Sequence, residues 1–181
     1  MPGARFLAGE AVDLHTIEAE DVPFLQAHIN APRVRRHLTV RTPKNELQEE
    51  TWFEEQVSDG DDVNLLVVGG DGPAGTVRVG PIDDPDGRME IGLWIREADW
   101  GRGYGTEASE LLVEYAFAEL RAHRIAARVF EGNAASARVW EKLGFRHEAT
   151  HREAAFRHGE YVDVHWYAVL EDEWSSEGSS A

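Results

Sequence analysis

The sequence predicts a single α/β (α+β) domain, built on a mixed, mostly antiparallel sheet covered by helices. Three strand-like runs, "VNLLVVG", "AGTVRVGPI" and "RMEIGLWIR", follow one another across the turn-forming segments "GGDGP" and "DDPDG", as in an antiparallel meander. Beyond them, strand-like and helix-like runs alternate. The 181 residues, 42% of them hydrophobic, suit one core of ordinary composition.

The elements read in order as follows. "FLAGEAVDLHTI" is a strand, with Val12 and Leu14 alternating against charged neighbours. "EAEDVPFLQAHIN" is a short helix. "TPKNELQEETWFEEQVSDG" is a second, with Thr42 as N-cap, Pro43 at the first helical position and Gly60 at its end. The three meander strands come next. Helix "TEASELLVEYAFAEL", strand "RIAARVFE" and helix "NAASARVWEKL" follow, the last stopped by Gly144. "FRHEATHREAAF" and "YVDVHWYAVL" close the sheet through "RHGE". The expectation is seven strands and about four helices. Residues 1–174 form the domain, and "SSEGSSA" (175–181) is a disordered tail.

Charge narrows the partners. Asp and Glu total 34 against 18 Lys and Arg, a net charge of −16, and Lys44 and Lys142 are the only lysines. Acidic excess of this kind fits either a halophilic protein kept soluble by its own repulsion or an ordinary acidic one. It opposes nucleic-acid binding, which needs a basic surface. There is no cysteine, so a catalytic thiol and thiolate metal sites are excluded. No apolar run reaches the length of a membrane span, and "MPGARFLAGE" lacks the build of a signal peptide. A cytoplasmic protein without membrane partners is expected.

Four motifs carry or mimic chemistry. "WGRGYGTE" (100–107) places three alternating glycines between a strand and a helix. Thr106 stands where a dinucleotide fingerprint needs its last glycine, and the Walker Gly-Lys-Ser/Thr is absent. What remains is a run of backbone amides at a helix N-terminus, from Arg102 through Gly103, Tyr104 and Gly105 to Thr106, which suits a pyrophosphate or else serves as a plain turn. In "NAASARVWEKLGF", Asn133 is a natural helix cap, while Ala137, Trp140 and Leu143 recur at core spacing. In "MEIGLWI", Glu90, Gly92 and Trp94 share one strand face and Ile91, Leu93 and Ile95 the other. Glu90 there is either a general base or a carboxylate on a wet sheet face. "HEATH" (147–151) matches a zinc-protease pattern, but that pattern requires a helix. On a strand His147 and His151 stand about 13 Å apart, too far to share an ion.

Taken together, "EIGLWI", "WGRGYGTEASELLVEYAF" and "NAASARVWEKLGF", in this order and spacing, resemble the GNAT N-acetyltransferase superfamily and its RimJ/RimL-type branch. The resemblance runs over roughly residues 5–174. It implies a GNAT-like sheet that splays between strands four and five, and transfer of an acetyl group from acetyl-CoA to a primary amine without a metal. It also implies a diphosphate on the amides of Arg102 to Thr106. Strand amides near Trp94 and Ile95 would hold the pantetheine arm and the thioester carbonyl, and Asn133 would bind the same arm. Glu90, through a water, becomes the base. Many relatives have a Tyr acid where this chain has Trp140, whose indole cannot give up a proton at neutral pH, so the role passes to Ser136 or stays unfilled. The branch implies a protein or peptide N-terminal α-amine as acceptor. Small amines or antibiotics are the alternative, and a non-catalytic acyl-CoA-binding module or a phosphate-binding regulator is a different class. The chain is expected to be a monomer or a homodimer.

Overall fold

The computed structural model describes residues 2–177. Two short antiparallel strands open the chain, β1 (Arg5–Ala8) and β2 (Asp13–Thr16). The alternation in the sequence predicts one strand here. The break has a local cause: Gly9 donates to Asp13 Oδ1 at 3.2 Å, and Glu107 Oε1 accepts from the amide of Ala11 at 2.9 Å. A side chain at position 9 would collide with that carboxylate. A tight turn therefore replaces continuous strand, and the sheet gains an eighth member.

Three helices follow: α1 (Val22–Ile29), α2 (Pro32–Arg35) and α3 (Glu46–Trp52), the last continuing as wider helical turns over Phe53–Ser58. α2 is an unexpected helix, a single turn led by Pro32 in the position where proline's missing N–H costs nothing. α3 starts later than expected. Asn45, not Thr42, caps it: Asn45 Oδ1 accepts from Gln48 N at 2.9 Å, and Gln48 Oε1 accepts from Asn45 N at 3.0 Å. This reciprocal pair satisfies two otherwise orphaned donors, which a lone Thr could not do.

The meander is β3 (Val63–Gly69), β4 (Gly72–Gly80) and β5 (Arg88–Ile95), antiparallel in one-to-one register apart from a shift at Val67/Val68. Then come α4 (Tyr104–Glu119), β6 (Arg124–Phe130), α5 (Ala134–Lys142), the long hairpin β7 (Arg146–Arg157) and β8 (Glu160–Leu170), and α6 (Glu171–Glu177). The sheet runs β1-β2-β3-β4-β5-β6-β8-β7, with β5 and β6 the one parallel pair among the described residues. α6 carries helical backbone through residue 177, three residues into the expected tail; 178–181 lie outside the described residues. "HEATH" lies on β7, as a strand.

The core has two sides because both sheet faces are covered. On one, α4 lays Ala108, Leu112, Val113 and Ala116 against Val77, Val79 and Ile91, all at most 1% exposed. Trp140 and Leu143 of α5 and its C-terminal flank join this cluster, and Gly144, at φ 76°, ends the helix as expected. On the other face, Ile17, Leu25 and Leu66 pack with Phe24, Trp52, Phe53 and Trp94.

Among the described residues, burial on balance opposes the ionised form of two carboxyls, Asp21 and Glu49, and Glu49 has the fewer compensating partners. Glu49 is 3% exposed, and burial raises its carboxyl above the ordinary value, with Lys44 pulling the other way. Folding therefore favours the protonated acid, and stability is lost as pH rises from the unfolded value through the raised folded one. Glu49→Gln is expected to match the wild type near pH ~4 and to melt at a higher temperature near pH ~7. Thermal melts of both proteins across that range check it; equal melting temperatures at neutral pH would contradict the penalty.

Candidate active site

The site starts where two strands part. β5 and β6 pair only at Arg88, Met89 and Glu90 with Arg124, Ile125 and Ala126. Past Glu90, β5 stays bonded to β4 alone. Arg96 N donates to Ala74 O on β4 at 2.7 Å. Strand alternation turns the peptide groups of Trp94 and Gly92 the same way, and those of Ile95, Leu93 and Ile91 toward the gap. The Ile95 carbonyl, on the gap side, accepts from Trp100 Nε1 at 2.7 Å. A row of strand amides thus lines an opening with no strand opposite.

The glycine loop closes one end of this opening. Gly101 and Gly103 have φ of 78° and 83°, in the left-handed region that disfavours any side chain, and a Cβ at either would meet nothing. Backbone sign, not space, selects glycine there. Gly105 differs: a Cβ on it would lie 3.0 Å from Leu93 Cδ1. Its absence lets the first turn of α4 settle on β5. Gly103 caps α4 with no side-chain hydrogen bond, so the first-turn amides of Tyr104, Gly105 and Thr106 are available to an anion. The one acid of that turn, Glu107, is drawn away to the β1–β2 turn.

Asp99, 2% exposed, holds the loop. It pairs with Arg96 Nε and, at 2.7 Å, with Arg102. Burial alone would raise its carboxyl, but the Arg96 and Arg102 guanidiniums outweigh that and hold it below the ordinary value. Arg102 also binds Asp71 at 2.8 Å, and these two carboxylates push its pKa up.

α5 forms the opposite wall. Asn133 Oδ1 caps the helix by accepting from Ser136 N at 3.3 Å. Ser136 Oγ accepts from Trp140 Nε1 at 3.2 Å, which leaves the hydroxyl hydrogen free to donate elsewhere. Arg138 and Lys142 line the same cleft.

At the fork, Glu90 accepts from Arg128 Nε at 2.6 Å, and the Arg128 guanidinium lies 5.6 Å from the Trp166 ring. Arg78 of β4 stands on the same face and binds Asp62. Trp94 projects to this side, stacked on Phe24 at 6.0 Å. His37, just past α2, reaches the cleft; burial first and Arg36 second lower its pKa, keeping the ring neutral at pH 7.

These groups share one cleft of about 720 Å³. Of the residues that the sequence motifs single out, Glu90, Trp94, Ile95, Gly103, Tyr104, Gly105, Thr106, Asn133 and Ser136 line it. Arg102 is not among the lining residues; its side chain belongs to the Asp99–Asp71 cluster. Trp94 enters through its indole, while the gap-facing amides are those of its neighbours Leu93 and Ile95. The motifs do not reveal Arg128, His37, Arg138 and Lys142. The two on α5 had a signal, since they fall one turn apart on the motif helix. Arg128 had none, because its partner Glu90 is distant in sequence.

A parallel pair that opens after three residues, a glycine-led helix in the gap and a second helix facing it define an acyl-carrier-binding α/β domain. Residues 12–146 match the acetyltransferase (GNAT) domain family, and the chain belongs to that family. It is 27% identical over 172 residues to the uncharacterized N-acetyltransferase p20 of Bacillus licheniformis, covering 92% of this chain and 96% of that one. The fold superposes on spermidine N-acetyltransferase from Vibrio cholerae, solved with CoA and spermine, with a TM-score of 0.85 at 20% identity over 92% of this chain and 99% of that one. It also superposes on RimL, a ribosomal L7/L12 α-N-protein acetyltransferase, with a TM-score of 0.80 at 19% identity over 92% and 94% of the two chains. The protein is thus an acetyl-CoA-dependent N-acetyltransferase with a single-domain fold.

The Asp99 clamp is testable. Asp99→Asn removes the charge that both arginines bind. Faster hydrogen exchange is expected at amides 96–106, with CoA affinity weakened roughly ten-fold, or about 1.4 kcal/mol. Unchanged exchange in that loop would show that the clamp does not hold it.

Proposed function

We propose that the protein acetylates the α-amine of a peptide or protein N-terminus by direct attack on acetyl-CoA, as a member of the RimJ/RimL-type branch. The reading rests on one observation: a single cleft runs from the amides of the glycine loop, past the open edge of β5, to Glu90 at the fork. Acetyl-CoA supplies an activated acetyl group as a thioester, and the cleft's donors fit its parts. The amides from Arg102 to Thr106 face the diphosphate, with Arg138 and Lys142 adding charge. Leu93 and Ile95 offer N–H groups to the pantetheine arm and the thioester oxygen, where negative charge grows during attack. The NH₂ of Asn133 is left for the same arm once its oxygen has capped α5.

The acceptor nitrogen attacks the carbonyl carbon, forming the N–C bond as the C–S bond breaks. The amine proton leaves through a water to Glu90, and the departing thiolate accepts a hydrogen bond from the Ser136 hydroxyl; the thiolate then takes its proton from solvent as Glu90 returns its own. The indole bond already made to Ser136 Oγ orients that hydroxyl and favours donation from it. Arg128 positions the Glu90 carboxylate. An α-amine suits a site with a single carboxylate at the fork, since its ordinary pKa near ~8 leaves an appreciable neutral fraction, whereas a lysine near ~10.4 leaves little.

Glu90→Gln is expected to lower kcat about a hundred-fold while leaving the KM for acetyl-CoA within two-fold. Mass spectrometry of a peptide and amine library incubated with acetyl-CoA identifies the acceptor. Acetylation confined to small amines would refute the N-terminal assignment. Tight CoA binding with no product from any amine would favour a non-catalytic acyl-CoA-binding module.

A further inference from the structure

The chain is acidic almost two to one, yet its cleft is not. The ionised side chains lining it are Arg78, Arg128, Arg138 and Lys142 against Glu90 and Asp99. Arg138 and Lys142 stand on α5, where the phosphates of CoA supply the counter-charge under the proposed function. The acceptor half holds a second excess. Asp62 and Glu90 already neutralise Arg78 and Arg128. Around that half stand further cations with no carboxylate bound to them. Arg36 and Arg41 flank the wall residues His37, Leu38, Thr39 and Val40. Arg157 comes from the far side, at the end of β7, its guanidinium 4.1 Å from the ring centroid of the wall residue Phe130. Among the described residues, none of these three arginines forms an ion pair.

Arg157 is the telling one. Its Nε is buried with no hydrogen-bond partner, and its one protein hydrogen bond runs from a terminal nitrogen to the carbonyl of Phe156 at 3.2 Å. Burial first, and repulsion from Arg41 second, lower its pKa. His158 at the hairpin turn lies near enough to His37 to disfavour its protonation as well. The β7–β8 turn thus brings an under-satisfied guanidinium against the cleft wall at Phe130, with Arg41 near enough to repel it. A buried donor left unmade is costly, more so when it is charged. An anion at Arg157 would satisfy the donor and screen the repulsion together.

We propose that the acceptor is an α-amine carrying a carboxylate of its own, with that carboxylate bound by Arg157 beside Phe130 while the nitrogen reaches Glu90. This rests on the acetyltransferase reading and specifies its acceptor. It excludes polyamines, whose every charge is positive. The carboxylate belongs either to an acidic side chain at the start of a peptide or to a free amino acid, and the test separates these sources.

The experiment measures kcat/KM with acetyl-CoA for peptides beginning Asp, Glu, Asn or Gln, for free glutamate and for spermidine. Acidic acceptors are expected to exceed their amide counterparts by about ten-fold or more, the scale of one charge-assisted hydrogen bond. Arg157→Gln is expected to abolish that preference by raising the KM for the acidic acceptor, while the Asn and Gln peptides and the KM for acetyl-CoA stay unchanged. Arg157→Lys restores part of the preference, and the unchanged acetyl-CoA KM shows that both variants are folded. A dominant peptide rate assigns the carboxylate to a peptide side chain, and a dominant glutamate rate to a free amino acid. Equal rates for acid and amide, or a preference for spermidine, would overturn the proposal while leaving the transferase reading intact. Product from no acceptor, with CoA still bound, would overturn both.

Discussion

The structure depends on a strand left half-paired. A parallel partner is available to β5 for three residues, and beyond Glu90 the strands diverge. Peptide groups buried without partners are costly, so a gap of this kind persists only where other groups fill it. Here the chain fills part of it. Trp100 caps the Ile95 carbonyl, and the first turn of α4 seats itself on Leu93 and Ile95 because Gly105 has no side chain. What stays open is a line of N–H groups at the spacing of an extended chain, matched to an extended acyl carrier.

The two faces of β5 divide the labour. Ile91, Leu93 and Ile95 belong to the α4 side, where the core anchors the strand. Glu90, Gly92 and Trp94 point to the acceptor side, and the side-chain-free Gly92 sits opposite Arg78 with ordinary clearance. Under the proposed function, one strand fixes both substrates relative to each other, with the donor along its edge and the acceptor over its face. Loop rigidity serves the same end. Asp99 draws Arg96 and Arg102 together, and Arg33 pairs with Glu97 while lying 5.4 Å from the Trp100 ring. The segment between β5 and α4 is thereby tied to α2 as well as to itself, and the amides it presents are fixed before a ligand arrives.

Much of this was legible in the sequence, for local reasons. Strand alternation in "MEIGLWI", the glycines before α4 and the spacing of Trp140 and Leu143 each depend on residues a few positions apart, and each element formed as the pattern required. One error came where a distant residue intervened: Glu107 broke the first strand from 96 residues away. The other was local: Asn45 outcompeted Thr42 because Gln48, three residues on, answered it in a reciprocal cap. The site divides along the same line. The motif residues on β5, the glycine loop and α5 line one cleft, as their order along the chain suggests. The Glu90–Arg128 pair depends on how β5 and β6 converge, and no sequence spacing encodes that. The glycines also served two purposes that the alternation hid: two set backbone sign, and the third permits close packing.

The distribution of charge shows why those unreadable contacts matter. Among the described residues, nine of the 18 basic side chains form an ion pair and nine do not, so an unpaired arginine is not in itself unusual. Arg88 meets Asp84 and Asp86, Arg124 meets Glu148, and Arg5 meets Asp13. Such exposed pairs contribute little to stability and need no special arrangement. What sets Arg157 apart is not the lack of a carboxylate but a buried Nε without a hydrogen-bond partner, held against Phe130. Such a donor costs stability in the free protein, and in the proposed acceptor complex an anion recovers it. A surface of net charge −16 slows any acidic partner at long range, but within about a Debye length, some 8–10 Å at ordinary salt, the local cations decide the sign of the field. The same argument holds on the α5 side for the phosphates of CoA. Under the proposed function both substrates meet positive charge on an otherwise negative protein, and Glu90 at the fork selects among anions those that can deliver an amine.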